Sequence, residues 1–590
     1  MKIHFKQDKV LINHRPAILY GGEFQYFRIP IQLWKKSLKH LKEAGFHFLS
    51  CYIPWIWHEI EEGIFDFTGE TLPERNLVKF LELCQKFKFH LIVRPGPYIY
   101  AEYQGFGVPE WLRRKYPEVL MKPDENVYAQ EIALNHPLFL EYVKSWFKSL
   151  LVLLRPAIKK GRIIAWQIDN ETGLPQYGHW QVCGEFNPHT IHLFQEYLKG
   201  DYSSIEHLNQ QWKTHYADFS EVRFPPRSQL KPLYGRHWAE FVEEYLIQYL
   251  KTLKSILNEM HVDCFLYLND PYLCQWPNQS AKKSNIAPIG YDIYSKVCPE
   301  PQTTHDIPFS ISYAPKFYRT LNHQQLPIAA EVGTGWFDPR FQVKPIATLQ
   351  TVMLSILRGS QIISYYLLQD CIEADGTPWI FQAPLNHEGE LTPRFEVIAQ
   401  VGQFLRHQGT WLAKSEEVEN SIAILKYLPQ GWDFLQCNHT VWTALDSMDN
   451  AIIHFGGVPG IMGALLEAGY NPVIYELNQI SQEELNAFRV IFFPSTDLLD
   501  EHCYHKLHSY VLQGGTLICF GTPVSTNLVG TPYSPNPLFP AEPYGYTHKI
   551  QYGTNTVLSQ TAVDLMDYQR LRRSLPHRLS LNTLDLMHPF

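Results

Sequence analysis

Over the first two-thirds of the 590-residue chain, short apolar runs alternate with segments whose apolar positions recur every three or four residues. The apolar runs read as strands: "AILYGGEF" (17–24), "FHFLSCYIPW" (46–55), "FHLIVRPGP" (89–97), "RIIAWQIDNE" (162–171), "DCFLYLND" (263–270), "IGYDIY" (289–294), "PIAAEVG" (327–333) and "QIISYYLLQ" (361–369). Between them, "IQLWKKSLKHLKEAG" (31–45) and "LPERNLVKFLELCQKFK" (72–88) carry helical spacing. Strands alternating with helices imply parallel βα units, and eight of them close a barrel. The pattern therefore predicts a (β/α)8 TIM barrel over residues 1–412. The long gap at 172–262 must hold additional helices, "GRHWAEFVEEYLIQYLKTLKSILNEM" among them.

After about residue 415 the alternation restarts on a smaller scale, as strand, helix, strand, strand, helix, strand. This predicts a second, smaller open α/β domain of flavodoxin-like form over 413–530. Its pattern is also amidotransferase-like, but no cysteine stands at a strand-to-helix turn, so it is expected to have no catalytic role. His502, Cys503 and His505 fall on a helix, where a structural role is expected. Residues 531–590 form a turn-rich C-terminal tail without an assignable role.

Composition narrows the function. No window reaches the ~18 uninterrupted apolar residues of a membrane span. The net charge of -8 comes from 51 basic and 59 acidic residues evenly mixed, which provides no basic stripe for nucleic acid. The N-terminal stretch lacks the apolar core of a secretory signal, and ten cysteines are scattered without a CxxC pair. A reduced, cytoplasmic protein without metal or organic cofactor is expected. Aromatic residues make up 14% of the chain, and flat faces with polar edges suit sugars.

In a parallel barrel all strands point their C-terminal ends at one face, where catalytic groups gather. The fourth predicted strand delivers Asn170 and Glu171 there, and the seventh delivers Glu331. Two carboxyl groups facing each other across a cleft are what glycosidic cleavage requires: one protonates the departing oxygen, the other attacks the anomeric carbon or activates water.

The stretches "YIPWIWHEIEEGIFDF", "LIVRPGPYIYAEYQGFGVPEWL", "IIAWQIDNETG", "PIAAEVGTGWFD" and "APLNHEGELTPRF" occur in one order over roughly residues 10–405 and resemble glycoside hydrolase family 35, the β-galactosidase family. The resemblance implies a retaining enzyme with Glu171 as acid/base and Glu331 as nucleophile. It places Tyr52, Glu102 and Asn170 against the hydroxyls of the terminal sugar, Tyr365 beside the nucleophile, and Trp336 as an aromatic wall. The chain departs from the family pattern at Asp169, where a Glu is usual, at Thr172, where a Tyr is usual, and at Phe381, where a tyrosine usually reaches the sugar. The shorter Asp169 is expected to shift which hydroxyl is held. The second domain resembles that of family 42 and of archaeal exo-β-glucosaminidases, and implies a homo-oligomer, dimer or trimer. The expected activity is removal of a terminal β-linked sugar, foremost galactose, from an oligosaccharide or glycoside. An exo-β-glucosaminidase is the alternative, although Asn170 suits a hydroxyl better than an amine, and a non-catalytic sugar-binding protein is a remoter one.

Overall fold

All eight strands expected of the barrel form: β1 (Leu19–Glu23), β2 (Phe48–Tyr52), β3 (His90–Arg94), β4 (Ile163–Gln167), β5 (Phe265–Asp270), β6 (Ile289–Ile293), β7 (Ile328–Gly333) and β8 (Ile362–Tyr366). They pair in parallel in chain order and close through β8 and β1. The computed structural model describes residues 1–6, 8–122, 129–173, 185–224, 232–270, 286–294, 307–321, 326–337, 342–373, 375–427, 458–495, 498–521, 523–528, 530–538, 548–552 and 555–560. Two units are distinguished, 1–416 and 417–590.

The helices follow the spacing that predicted them. In α1 (Ile31–Glu43), Trp34, Leu38 and Leu41 share one buried face while the lysines point outward, and Gly45 ends it in the left-handed conformation at φ 91°. α2 covers Leu77–Lys86, five residues shorter at its start than the 72–88 pattern suggests. The reason is a cap: the Asn76 side chain accepts the Lys79 N–H at 2.8 Å, and Pro73–Arg75 form a separate 3-10 turn. The barrel layer continues with α3 (Pro137–Lys159), α4 (Pro188–Asp201), α5 (Pro232–Glu259), α6 (Ile307–Leu321), α7 (Pro345–Leu357) and α8 (Pro393–Leu412). α4, a short helix Ile205–Trp212 and α5 occupy the long insertion after β4. Within the barrel, Leu19, Phe48, Ile92, Ala165, Tyr267, Ile328, Ala330 and Ile362 fill one apolar layer.

The second unit is a parallel sheet of β9 (Ile422–Lys426), β10 (Val473–Glu476), β11 (Val490–Ser495) and β12 (Thr516–Gly521), with helices α9 (Val458–Glu467) and α10 (Glu501–Leu512). Cys503 is buried on α10, where its thiol meets Asn478 Oδ1 at 2.9 Å and burial pushes its pKa up; this is a packing position. The sheet does not end at residue 530. β13 (His548–Tyr552) and β14 (Asn555–Gln560) form an antiparallel pair, and β14 adds in parallel to β12, giving the order β10-β9-β11-β12-β14-β13. The tail left without a role thus supplies two strands. Among the described residues no helix is long and apolar enough to cross a membrane.

Candidate active site

Above the apolar layer the barrel lumen turns polar, and one cation organises it. Arg94, the last residue of β3 and 1% exposed, reaches Glu23 Oε2 at 3.4 Å and also binds Asn170 Oδ1 and Glu331 Oε1. Its guanidinium lies 4.0 Å from the Tyr52 ring centroid. A buried arginine must be paired to be tolerated, and here the pairing aims two carboxylates and an amide into one space.

Glu331 faces that space because β7 carries an additional residue. From Tyr291 to Asp292 on β6 is one step where β7 takes two, Ala329 to Glu331; from Ile363 to Tyr365 on β8 is two steps where β7 takes three. Ile328 and Ala330 lie in the apolar layer. Strict alternation would turn Glu331 outward, and the bulge turns it in. Tyr52 Oη then donates to Glu331 Oε1 at 3.0 Å, and Tyr294 Oη donates to Oε2.

Glu171 sits just past β4 on a strained turn, with Asp169 at φ 57° and Glu171 at φ 45°. Local bonds hold that turn. Asp169 accepts from Tyr98 N–H and Thr172 Oγ1, each at 2.9 Å, and Asn269 Oδ1 accepts the Glu171 N–H at 3.0 Å. Asp169 is therefore a brace of the loop, and the expectation that it bears on a sugar hydroxyl is corrected: both its oxygens are engaged by the protein. Asn170 lies between the catalytic candidates, taking hydrogen bonds from Arg94, Gln167 and Asn269 and donating to Ile99 O at 2.9 Å.

The structure brings together Tyr52, Asn170, Glu171 and Glu331, with Glu102 nearby. Glu102 borders solvent at the rim and accepts from Tyr366 Oη at 3.0 Å. Trp336 packs edge-on against Tyr294, with ring centroids 5.5 Å apart. Tyr365 does not reach the cleft. Its hydroxyl donates to Tyr20 Oη at 3.2 Å, and Tyr20 gives its own proton to Ile398 O on α8 at 2.8 Å, so Tyr365 points into the layer between strands and helices. One residue on, the side chain reverses face, and Tyr366 is the tyrosine that reaches the cleft. Phe381 closes the aromatic wall, 5.1 Å from Tyr366 and 6.4 Å from Tyr294.

Sequence reasoning missed Arg94, Asp292, Tyr294 and Tyr366. A charged residue at the end of an apolar strand signals a buried ion pair, which was available for Arg94 and for Asp292 in "IGYDIY". Asp292 is 2% exposed and accepts from Asn269 Nδ2 at 2.7 Å. Oxygens of Glu171, Asp292 and Glu331 all lie within 4.8 Å of one another. Burial, then the Glu331 charge, push Glu171 well above the usual carboxylate range, with Glu102 adding to it. Asp292 is raised by burial, Glu331 and Glu171. The protein crowded around its carboxyl raises Glu102 even though the side chain also meets solvent, against the pull of Arg28.

Such a trio has the spacing of a cation site, but Arg94 already answers the charge of Glu331, and an acid held protonated opposite an ionised partner is the arrangement of proton-transfer chemistry. Asp201, His237 and Glu240 form a comparable donor cluster on α4 and α5.

Residues 9–214 match the family model "Glycosyl hydrolases family 35", and residues 441–535 match "GLMA-like, second domain". The chain is 27% identical to a β-1,2-glucosyltransferase of Ignavibacterium album over 88% of this chain and 76% of that one. It is 26% identical to an exo-β-D-glucosaminidase of Pyrococcus horikoshii over 88% and 69%. A GH42 β-galactosidase of G. stearothermophilus superposes with a TM-score of 0.76 at 16% identity, covering 99% of this chain and 90% of that one.

Proposed function

Given that the chain is a glycoside hydrolase for β-linked sugars, with a barrel related to family 35, we propose that it is a retaining exo-β-glycosidase that removes a terminal β-D-galactose by double displacement. The observation that carries this reading is that an oxygen of Glu171 and an oxygen of Glu331 lie within 4.8 Å of each other, which fits the closely spaced pairs of retaining enzymes, ~5 to 5.5 Å, better than the ~6.5 to 9.5 Å of inverting ones. Glu171 enters the cycle protonated and gives its proton to the departing oxygen. Glu331, oriented by Arg94, Tyr52 and Tyr294, attacks the anomeric carbon and becomes an ester. The negative charge has then moved from Glu331 to Glu171, which takes a proton from water as its hydroxyl releases the sugar.

The neutral Asn170 beside the pair supports a hydroxyl at C2, and the family 35 match supports galactose. A second reading is favoured by the relatives that span most of the chain: a glucosaminidase, or a glucosyl transfer in which a sugar hydroxyl replaces water at the ester. A homo-oligomer, dimer or trimer, in the cytoplasm belongs to the same proposal, and light scattering of the purified chain tests the assembly. The deciding experiment is a rate panel on nitrophenyl β-galactoside, β-glucoside and β-glucosaminide, with Glu331→Ala alongside and the anomer of the first product followed by NMR. Galactoside turnover with retention, lost in the variant, is expected; an inverted product overturns the double displacement, and faster glucosaminide turnover overturns the sugar.

A further inference from the structure

Asp292 takes no part in the two-carboxylate cycle, yet it is buried within 4.8 Å of both its members. Its two oxygens have different surroundings. Oδ2 accepts from Asn269 Nδ2, whereas Oδ1 is fully enclosed and meets no donor. One oxygen of Asp292 lies within 4.8 Å of one of Glu171, the two carboxyl groups are hydrogen-bonding partners, and Oδ1, with no other partner, is the oxygen left for that bond. Two carboxyl groups can share a hydrogen bond only if one of them carries the proton. Asn269 fixes the pairing, since its Nδ2 holds Asp292 while its Oδ1 holds the Glu171 N–H.

We propose that Asp292 is a positioning residue that keeps its proton through the cycle and donates it from Oδ1 to the Glu171 carboxyl group. The inference rests on Glu171 being the acid/base. The groups facing Asp292 are Glu331, Glu171, Arg94 and Asp270, with the phenols of Tyr267 and Tyr294. Three of the four ionisable neighbours are acids, so a second buried negative charge here is opposed from β4, β5 and β7, and burial acts in the same direction. The role follows from where charge moves. Glu331 has Arg94, Tyr52 and Tyr294 to stabilise it. Once Glu171 has released its proton, the neutral Asp292 is placed to donate to the new carboxylate, which makes that release less costly. No proton leaves Asp292, and no charge is added to the site.

The test compares Asp292→Asn with Asp292→Ala through pH profiles of kcat/KM on a nitrophenyl β-glycoside that the enzyme turns over. Asparagine is neutral, accepts from Asn269 and donates through Nδ2, so it should keep kcat/KM within about five-fold and leave the alkaline limb in place. Alanine cannot donate to Glu171; kcat/KM should fall roughly 10- to 100-fold, the loss expected for a hydrogen bond to a charged group, and the alkaline limb should rise. An Asp292→Asn variant as damaged as Asp292→Ala, or one whose alkaline limb drops by about a pH unit or more because a like charge was removed, would overturn the proposal. So would an Asp292→Ala variant equal to the wild type. If the alanine variant fails to fold, infrared difference spectra of wild type against Asp292→Asn decide: a protonated-carboxyl C=O band lost at neutral pH supports the neutral donor, and no lost band refutes it. Glu171→Gln separates this claim from the one beneath it. Azide-rescued turnover of an aryl glycoside upholds Glu171 as acid/base whatever Asp292 does, and full activity without azide overturns both.

Discussion

Asp169→Asn should stabilise the protein at alkaline pH and flatten its pH dependence. Asp169 is 1% exposed, and burial pushes its pKa from an ordinary 3.8 to about 7, against the pull of the Tyr98 N–H and the Thr172 hydroxyl. An acid whose folded pKa is raised binds a proton in the native state that the unfolded chain has already released. Between about pH 4 and about pH 7 the native state therefore holds more protons, and stability falls as pH rises through that window. Three units of difference at about 1.36 kcal/mol each amount to roughly 4 kcal/mol of destabilisation, fully present above about pH 7 and absent below about pH 4. Asparagine carries no charge to bury. Its Oδ1 still accepts the Tyr98 N–H, and its Nδ2 meets a Thr172 hydroxyl that can turn to accept. Urea unfolding of the barrel, followed by fluorescence from about pH 4.5 to about pH 8, gives the difference between variant and wild type. The variant should be more stable at pH 8 by up to roughly 4 kcal/mol, with the gap closing as pH falls. Curves that run parallel, or a variant weaker at pH 8, would show that the carboxylate is better satisfied in the loop than its burial implies.

The two adjacent tyrosines should separate. Tyr366→Phe removes the donor to Glu102 and should raise KM in steady-state kinetics, whereas Tyr365→Phe should leave kinetics unchanged and cost about 1 kcal/mol in denaturant unfolding. Arg94→Lys keeps the charge but loses the fork joining Glu331, Asn170 and Glu23, and kcat/KM should drop roughly 10- to 150-fold. Gly402 on α8 packs against the end of α1, where an added Cβ would meet Ala44 O at 2.0 Å. Gly402→Ala should accordingly lower stability by about 1 to 3 kcal/mol, read as a reduced Tm, without touching the cleft.

The legible parts of the fold were those in which burial and spacing agree. Eight apolar runs bounded by turns became eight strands, and Glu171 and Glu331 were singled out because each lies near the C-terminal end of one of those runs. What escaped depends on facing. "IISYY" is buried on both faces, so nothing in its pattern tells Tyr365 from Tyr366. The bulge in β7 leaves no mark on composition, and Asp292 read as one polar residue in a strand because its partners lie on three other strands. The β13–β14 hairpin was hidden differently: its strands are short and flanked by turn residues, and their register comes from β12, contributed earlier in the chain.

That bulge also lets one strand do two jobs that plain alternation would set against each other. Removing Ala330 would leave Ala329 beside Tyr291 and Glu331 beside Asp292, as they stand now, with the carboxylate still facing inward at the same height. What would go is Ala330 itself, and the apolar layer beneath the carboxylate would lose a side chain. The extra residue thus acts as a shim, putting two consecutive side chains of β7 on the inner face, one to fill the barrel and one to face the cleft.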